Sequence, residues 1–380
     1  MSTPSASSNA DEPPQQENHQ LASLSSLPHE IVLSCLARVP RSCHLNLAHV
    51  SKTLRSLIRS RELRSLIHKK NSLYVYLHNP KNKTYHWLTL LQCEETMISY
   101  RLAPIPFPCH PFMRHSSAVA VGSEIYYVGG SSEPSSDLWI LDTLSGKFHQ
   151  GPSMKVPRRG VDTWLGVIDG KIYVIGGGCD EKNHVEVFDP ETEIWKLLEK
   201  EKVVPPRFGC KQYIASLEHK VYMVETGGIS VYNPREGRGK RMVGMVSDRL
   251  GVAGSNKARK RLSVRVNCVC VVENVLYACF IWHGLMWFDT KLNVWRELVS
   301  RDGKELTFKY VHAMTEYEGK LAAFRYLNYG HMSDNTKSVK MFLFALDRVK
   351  DRVCGTIEWS GVVAKIPNSS DFLHCLNVSD

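Results

Sequence analysis

The side chains best equipped for chemistry in this chain are its histidines, cysteines and arginines, and their spacing argues for recognition rather than bond-making. Sixteen histidines are scattered along the sequence, with no pair at ligand spacing beside a supporting carboxylate, as a metal centre needs. Eleven cysteines, an odd number without C-x-x-C pairs, suit small buried side chains of a reducing compartment better than zinc ligands or a disulfide framework. Cys268 and Cys270, two apart, share one face of a strand. The sequence therefore predicts no metal and no cofactor. Arg114, Arg159 and Arg207 recur 12, 14 and 15 residues before aligned tyrosines. With Trp282-His283 they are the candidates for contacting a bound protein, because arginine and tryptophan carry much of the energy of interfaces. The arginines have a second reading, as bonds between neighbouring repeats.

Charge adds a further candidate. The net charge is +10, and residues 235–265 hold ten Lys/Arg against Glu236 and Asp248. Residues 27–70 hold nine against two, so the rest of the chain is net acidic. The run Lys257, Arg259, Lys260 and Arg261 reads as a nuclear import signal, as a contact for an acidic partner, or as a solvated loop. No aromatics interleave it for base stacking, so no nucleic-acid partner is expected.

The elements that must position these residues repeat. "SEIYYVGG" (123–130) returns as "GKIYVIGG" (170–177), weakly as "HKVYMVET" (219–226) and faintly as "NVLYACFI" (274–281). Tyr126, Tyr173, Tyr222 and Tyr277 align, and Ala322 takes the slot in "GKLAAF", with gaps of 47, 49, 55 and 45 residues. The segments alternate and are rich in β-branched and aromatic residues, so they read as strands. Strand units of this length read as propeller blades, which must stack to bury their faces.

Turn residues count the blades. Asn79, Asp142, Asp189, Asn233, Asp289 and Asp347 each suit the start of a turn between a third and a fourth strand, since their side chains bond the backbone two residues on. Six such turns predict six blades. Trp87, Trp195, Trp295, Trp359 and Phe148 follow them, as large flat side chains for packing between blades. The Asn233 unit lacks one, so its blade is expected to be the poorest. Residues 72–90 match only the outer half of a blade and the last ten residues read as a lone strand. Joined in one sheet they would close the ring and leave no open edge.

Residues 115–365 resemble kelch repeats. Gly129-Gly130 and Gly176-Gly177 match the kelch glycine doublet, and Gly227-Gly228 is a displaced copy. No helix start follows these doublets, so they read as fold-making rather than phosphate-binding.

Residues 26–67 change character to short apolar helical patterns ended by Pro40. Ser26 is the expected cap of the first, with Pro28 near its first turn. Ile31, Cys35 and Leu36 are read on one face. About 40 residues is a marginal core, of the kind a partner completes. The string Leu27-Pro28, Glu30-Ile31, Leu36, Val39-Pro40, then "NLAHVSKTLRSLI", resembles an F-box. The pairing of an F-box with degenerate kelch units is similar to the plant F-box/kelch family. That resemblance implies a small all-α module followed by an all-β propeller: a tail over 1–20, an F-box domain over 21–70 and a kelch propeller over 71–380.

The resemblance also implies a function, that of a substrate-recognition subunit of an SCF-type E3 ubiquitin ligase, with no enzymatic activity of its own. Leu27, Pro28, Ile31, Leu36, Leu47 and Val50 match adaptor-facing or helix-packing positions of a module that binds a Skp-type adaptor, and through it a cullin scaffold; the propeller holds an unknown target protein. Two alternatives stand beside this. One is a kelch scaffold without a ubiquitin role. The other is a kelch-fold metal-dependent enzyme, for which Asp180 and His184 have the four-residue ligand spacing of plant specifier proteins while Gly176 stands in the first ligand's place. Residues 1–20 are polar and predicted disordered. There is no signal-peptide pattern and no apolar run long enough for a membrane span, so a cytoplasmic or nuclear protein with no membrane partner is expected.

Overall fold

The computed structural model describes residues 26–379 apart from 41–42, 68–70, 95–96, 111–115, 131–132, 179–184, 199–212, 226–227, 244, 248–258, 262–264, 305, 307 and 328–334. The expected tail over 1–20 lies outside the described residues. Four short helices come first: α1 (His29–Arg38), α2 (His44–Val50), α3 (Lys52–Ile58) and α4 (Arg61–Leu66). α1 carries Glu30 in its first turn and Arg38 in its last, each opposite in sign to the local helix dipole. Pro28, not Ser26, occupies its N-cap and makes no side-chain cap bond. α3 and α4 begin on serine caps, with the Leu54 N–H donating to Ser51 Oγ at 3.1 Å and the Leu63 N–H to Ser60 Oγ at 3.1 Å. Val32, Leu33 and Leu36 from α1 meet Ala48, Ile58 and Leu63 in a small core. The inward face of α1 is thus one residue round from the one read in the sequence, and Ile31 and Cys35 point outward.

Strands then take over. β1 (Ser72–Asn79), β2 (Thr84–Glu94) and β3 (Ile98–Pro104) open the ring. β4 (Ser116–Val121), β5 (Glu124–Gly129), β6 (Leu138–Asp142) and β7 (Lys147–Gln150) make blade 2. β8 (Arg158–Ile168), β9 (Lys171–Gly178), β10 (Val185–Asp189) and β11 (Ile194–Leu198) make blade 3. β12 (Tyr213–Leu217), β13 (Lys220–Glu225), β14 (Gly228–Asn233) and β15 (Arg238–Val243) make blade 4. β16 (Met245–Ser247) and β17 (Arg259–Arg261) precede the four strands of blade 5: β18 (Val266–Val272), β19 (Val275–Phe280), β20 (Gly284–Asp289) and β21 (Val294–Glu297). β22 (Ala313–Tyr317), β23 (Lys320–Leu327), β24 (Thr336–Val349) and β25 (Arg352–Pro367) make blade 6. β26 (Asp371–Val378) returns to pair with β1, completing blade 1 in the order β26-β1-β2-β3. The result is a small α module followed by a six-bladed propeller.

The innermost strands β4, β8, β12, β18, β22 and β26 pack in succession around the axis. Each sheet is sandwiched between two others, so its second strand is buried on both faces: Ile125, Tyr126, Tyr127 and Val128 of β5 are all inaccessible. Blade 1 is sealed by antiparallel pairing of Tyr74 with Leu376 and Val75 with Cys375. Side chains reinforce the seam with blade 6. The Tyr326 ring stacks on Phe372 at 5.2 Å, and its hydroxyl accepts the Phe372 N–H at 2.8 Å. Lys337 Nζ sits 3.7 Å over the Tyr326 ring and 3.4 Å from Asp371 Oδ1.

Three details differ from the sequence reading. Asn79 turns between the second and third strands of blade 1, because β3 takes the outer place; Trp87 therefore lies on a third strand. Asp347 is inside β24, opposite Cys354, and the turn falls at Lys350, whose φ is 56°. Blade 4 has all four strands despite lacking an outer aromatic, and Arg241 on β15 pairs with Glu225 on β13 at 2.7 Å. The basic stretch also forms structure: β16 lies parallel to β21 at Trp295 and carries β17, Arg259–Arg261, as the outer edge of blade 5. Lys257 lies outside the described residues.

Candidate functional site

Two surfaces gather the candidate residues. The first is the outer face of the helical module. With Val32, Leu33 and Leu36 turned inward, Leu27, Ile31 and Val50 are left 41%, 49% and 71% exposed, and Pro28 is exposed beside them. Ile31 and Cys35, four residues apart, form an outward stripe on α1, and Leu27 and Pro28 are exposed just before the helix begins. Burying an aliphatic side chain stabilises by about 1.5–3 kcal/mol, so this stripe holds unused binding energy. Leu36 and Leu47 behave differently. Leu36 is buried in the module's own core, and Leu47 is half-buried against it. Leu36 is therefore a packing residue, not an exposed contact, because the helix turns it towards Ala48 and Leu63.

The other side of the module is fixed to the propeller. Leu45 of α2 is buried among Tyr74, Tyr76, Trp87, Ile105 and Phe107. It lies against Gly146 in the outer turn of blade 2, and Asn46 Nδ2 donates to Pro104 O at 3.4 Å. Within the module, His44 Nε2 lies 3.1 Å from Leu36 O, and Arg55 Nε donates to Ala48 O at 3.0 Å, tying α2 to its neighbours.

The second surface is the loop face of the propeller, where the innermost strands begin and the second strands end. The central cavity, of about 560 Å³, is lined by these inner strands, with Ser116, Asp162, Tyr213, Asn267, His312 and Phe372 contributed one from each blade. Trp282 and His283 form the turn between β19 and β20, and Trp282 is 64% exposed. Arg159 is exposed at the start of β8. Arg114 and Arg207 lie outside the described residues. So do Asp180 and His184; among the described residues no cluster of three His, Cys, Asp or Glu side chains is placed to hold a metal ion.

The structural arginine is the one beside the predicted residue. Arg158 is fully buried and its Nη2 pairs with Glu186 Oε1 at 3.0 Å, while Nη1 donates to the Gly176 carbonyl. The Glu186 carboxylate also accepts the N–H groups of Lys155 and Val156 at 2.8 and 3.0 Å. The pair anchors the link from blade 2 into blade 3. A buried ion pair persists when further hydrogen bonds support it, as the Lys155 and Val156 N–H groups do for Glu186 and the Gly176 carbonyl for Arg158. The doublet glycines are fold-making too. Gly129 has φ 74°, and a Cβ on it would stand 2.5 Å from the Gly160 backbone.

No helix among the described residues is long and apolar enough to cross a membrane. A helical knob with one face open and one face clamped to a ring, and a ring whose far face is also open, defines a two-ended interaction protein. The comparisons give its family. An F-box domain model matches residues 24–66, and the FKB95, Kelch-repeats domain model matches residues 73–364. The chain is 45% identical to the Arabidopsis thaliana F-box/kelch-repeat protein At2g41360, over 94% of this chain and 98% of that one. It is 50% identical to F-box/kelch-repeat protein At2g22050 of the same plant, over 61% of this chain and 93% of that one, and 34% identical to At2g44630, over 98% and 100%. This chain belongs to the F-box/kelch-repeat family.

Proposed function

We propose that the protein is the substrate-recognition subunit of an SCF-type E3 ubiquitin ligase. In this reading the exposed apolar residues Leu27, Pro28 and Ile31 at the start of α1, with Val50 at the end of α2, take a Skp-type adaptor, and through it a cullin scaffold. The loop face of the propeller, with Arg114, Arg159, Arg207, Trp282 and His283 as candidate contacts, takes the target. The protein makes and breaks no bonds; it raises the effective concentration of target beside the ubiquitin donor. Proximity of this kind requires the two ends to be held at fixed separation, and the packing of Leu45 against blades 1 and 2 supports this. The observation that carries the reading is the exposed stripe on a module whose other side is already closed. A scaffold without a ubiquitin role would not need that stripe.

Co-purification from plant cells with the proteasome inhibited tests this. The wild-type chain is expected to bring down an adaptor of the Skp type together with a ubiquitinated protein. The triple variant L27A/I31A/V50A is expected to retain the protein's melting temperature and lose the adaptor. Equal adaptor recovery in both would end the proposal.

A further inference from the structure

On the loop face, the mouth of the cleft between blades 5 and 6 is basic and aromatic. Trp282 stands on the blade 5 side, in a turn seated on the chain just before β18: the Ile281 N–H donates to Arg265 O at 3.1 Å. The same turn abuts the crossover into blade 6, since a Cβ on Gly284 would fall 2.5 Å from the Phe308 carbonyl oxygen. The crossover goes on to Lys309 and Tyr310. Tyr310 is 44% exposed and has φ 62°, a conformation that bulky residues avoid unless the surroundings hold them in it. On the blade 6 side, Arg325 of β23 lies directly opposite Lys340 of β24 in the strand register. Both are on the face whose neighbours, Ala323 and Phe342, pack towards blade 5.

Two like charges directly opposed across a strand pair are destabilising. An adjacent carboxylate would relieve this, and among the described residues none pairs with either side chain. Arg265, Lys309, Arg325 and Lys340 form no ion pair with a carboxylate among the described residues. Residues 265–267, 281–284, 308–312, 325–327 and 336–340 contain no Asp or Glu. Lys340 Nζ lies 4.8 Å over the Phe342 ring, yet none of the four cations meets a carboxylate among the described residues; with the exposed rings of Trp282 and Tyr310 on the same side, they call for a ligand that is anionic and has an apolar anchor.

We propose that this cleft mouth binds a target segment rich in Asp or Glu that carries an aromatic or aliphatic side chain, the carboxylates taken by Arg325, Lys340, Lys309 and Arg265 and the anchor by Trp282 and Tyr310. The inference deepens the receptor reading and rests on it only for the statement that the ligand is a target protein. A peptide fits better than single-stranded nucleic acid, which needs a basic groove tracking several successive phosphates; here the cations lie at the loop ends of two adjoining blades.

Panning a random dodecapeptide phage library on the full-length chain tests the assignment. Enriched peptides are expected to be net acidic and to contain an aromatic or aliphatic residue. Measured by fluorescence polarisation, the leading peptide is expected to bind R325E and W282A at least about tenfold more weakly than the wild-type chain. R325E places opposite charges across the strand pair with Lys340, so its melting temperature is expected to hold or rise, which separates lost binding from unfolding. No enrichment, enrichment without acidic excess, or unchanged affinity in both variants overturns the proposal. So does a single-stranded RNA dodecamer that binds more tightly than the leading peptide and is weakened by the same substitutions. Panning involves neither adaptor nor ubiquitin enzymes, so its failure is distinct from a failure of adaptor co-purification.

Discussion

Leu45, on the second helix of the F-box module, packs against Gly146 in the outer turn of blade 2, and its side chain completes the aromatic cluster of blade 1. This contact joins the two halves of the molecule. Replacing Leu45 by Ala is expected to cost about 2–5 kcal/mol, as for other buried leucines. Because the module's own core does not include Leu45, the loss should appear as loosening of the knob from the ring. Hydrogen exchange is expected to speed up in 44–50 and in the blade 2 turn while the central strands stay protected. Unchanged exchange in both segments would show that the joint lies elsewhere.

Leu36 and Ile31 should fail in different ways. Leu36→Ala removes a buried side chain from a core of six residues and is expected to destabilise the module by about 2–5 kcal/mol. Ile31→Ala removes an exposed one, so stability should stay within about 0.5 kcal/mol while adaptor affinity falls by about 1–3 kcal/mol. Thermal melts and calorimetric titration with the adaptor separate the two. Equal effects on both quantities would contradict the assignment of faces.

Removing β26 should damage the whole ring. Deletion of 371–380 takes away the inner strand of blade 1, its pairing with β1, and the Phe372 contact with Tyr326. It leaves β1 as an unpaired edge beside the central channel. The expected result is a large fall in melting temperature for the entire propeller with increased aggregation. A melting curve like the wild type's would refute ring closure by this strand.

Alkaline pH should unfold the propeller through its tyrosines. Burial is the first cause of a raised phenol pKa for Tyr126, Tyr127, Tyr213, Tyr277 and Tyr326, and for Tyr222, which is pushed up to about 12. The unfolded chain releases these protons near pH 10. The folded state holds them to higher pH. The stability they contribute is therefore whole below about pH 10 and declines as pH rises beyond it. Phenolate absorbance is expected to appear together with loss of the circular dichroism signal, in one cooperative step. Smooth titration of all fifteen tyrosines near pH 10 in a folded protein would contradict their burial.

Much of the architecture was legible from local order. The strings at 123–130 and 170–177, their glycine doublets and the recurring Asp and Asn turns reflect stereochemical needs met within a few residues, and they led to strands, a propeller and six blades. The ordered Leu27-Pro28 to Val50-Ser51-Lys52 string did the same for the helical module. The places where the reading slipped share a cause. β3 has no repeat signature, and only its place outside β2, with Tyr100 meeting Trp359 at 4.9 Å, makes it a blade strand.

Neighbouring residues of one type could not be told apart before folding. Arg158 goes inside and Arg159 outside because Glu186, on another strand, reaches only the first. Leu36 turns in and Ile31 out because α4 covers one side of α1. Leu45 leaves its own module for the ring because blades 1 and 2 offer it a socket built from residues far along the chain. The opposition of Arg325 to Lys340 exists only in the strand register. Sequence by itself determined which elements form, since turns, caps and strand patterns are set by nearest neighbours. Tertiary structure alone decided which side chains remain available to a partner, since exposure depends on what distant segments have already covered.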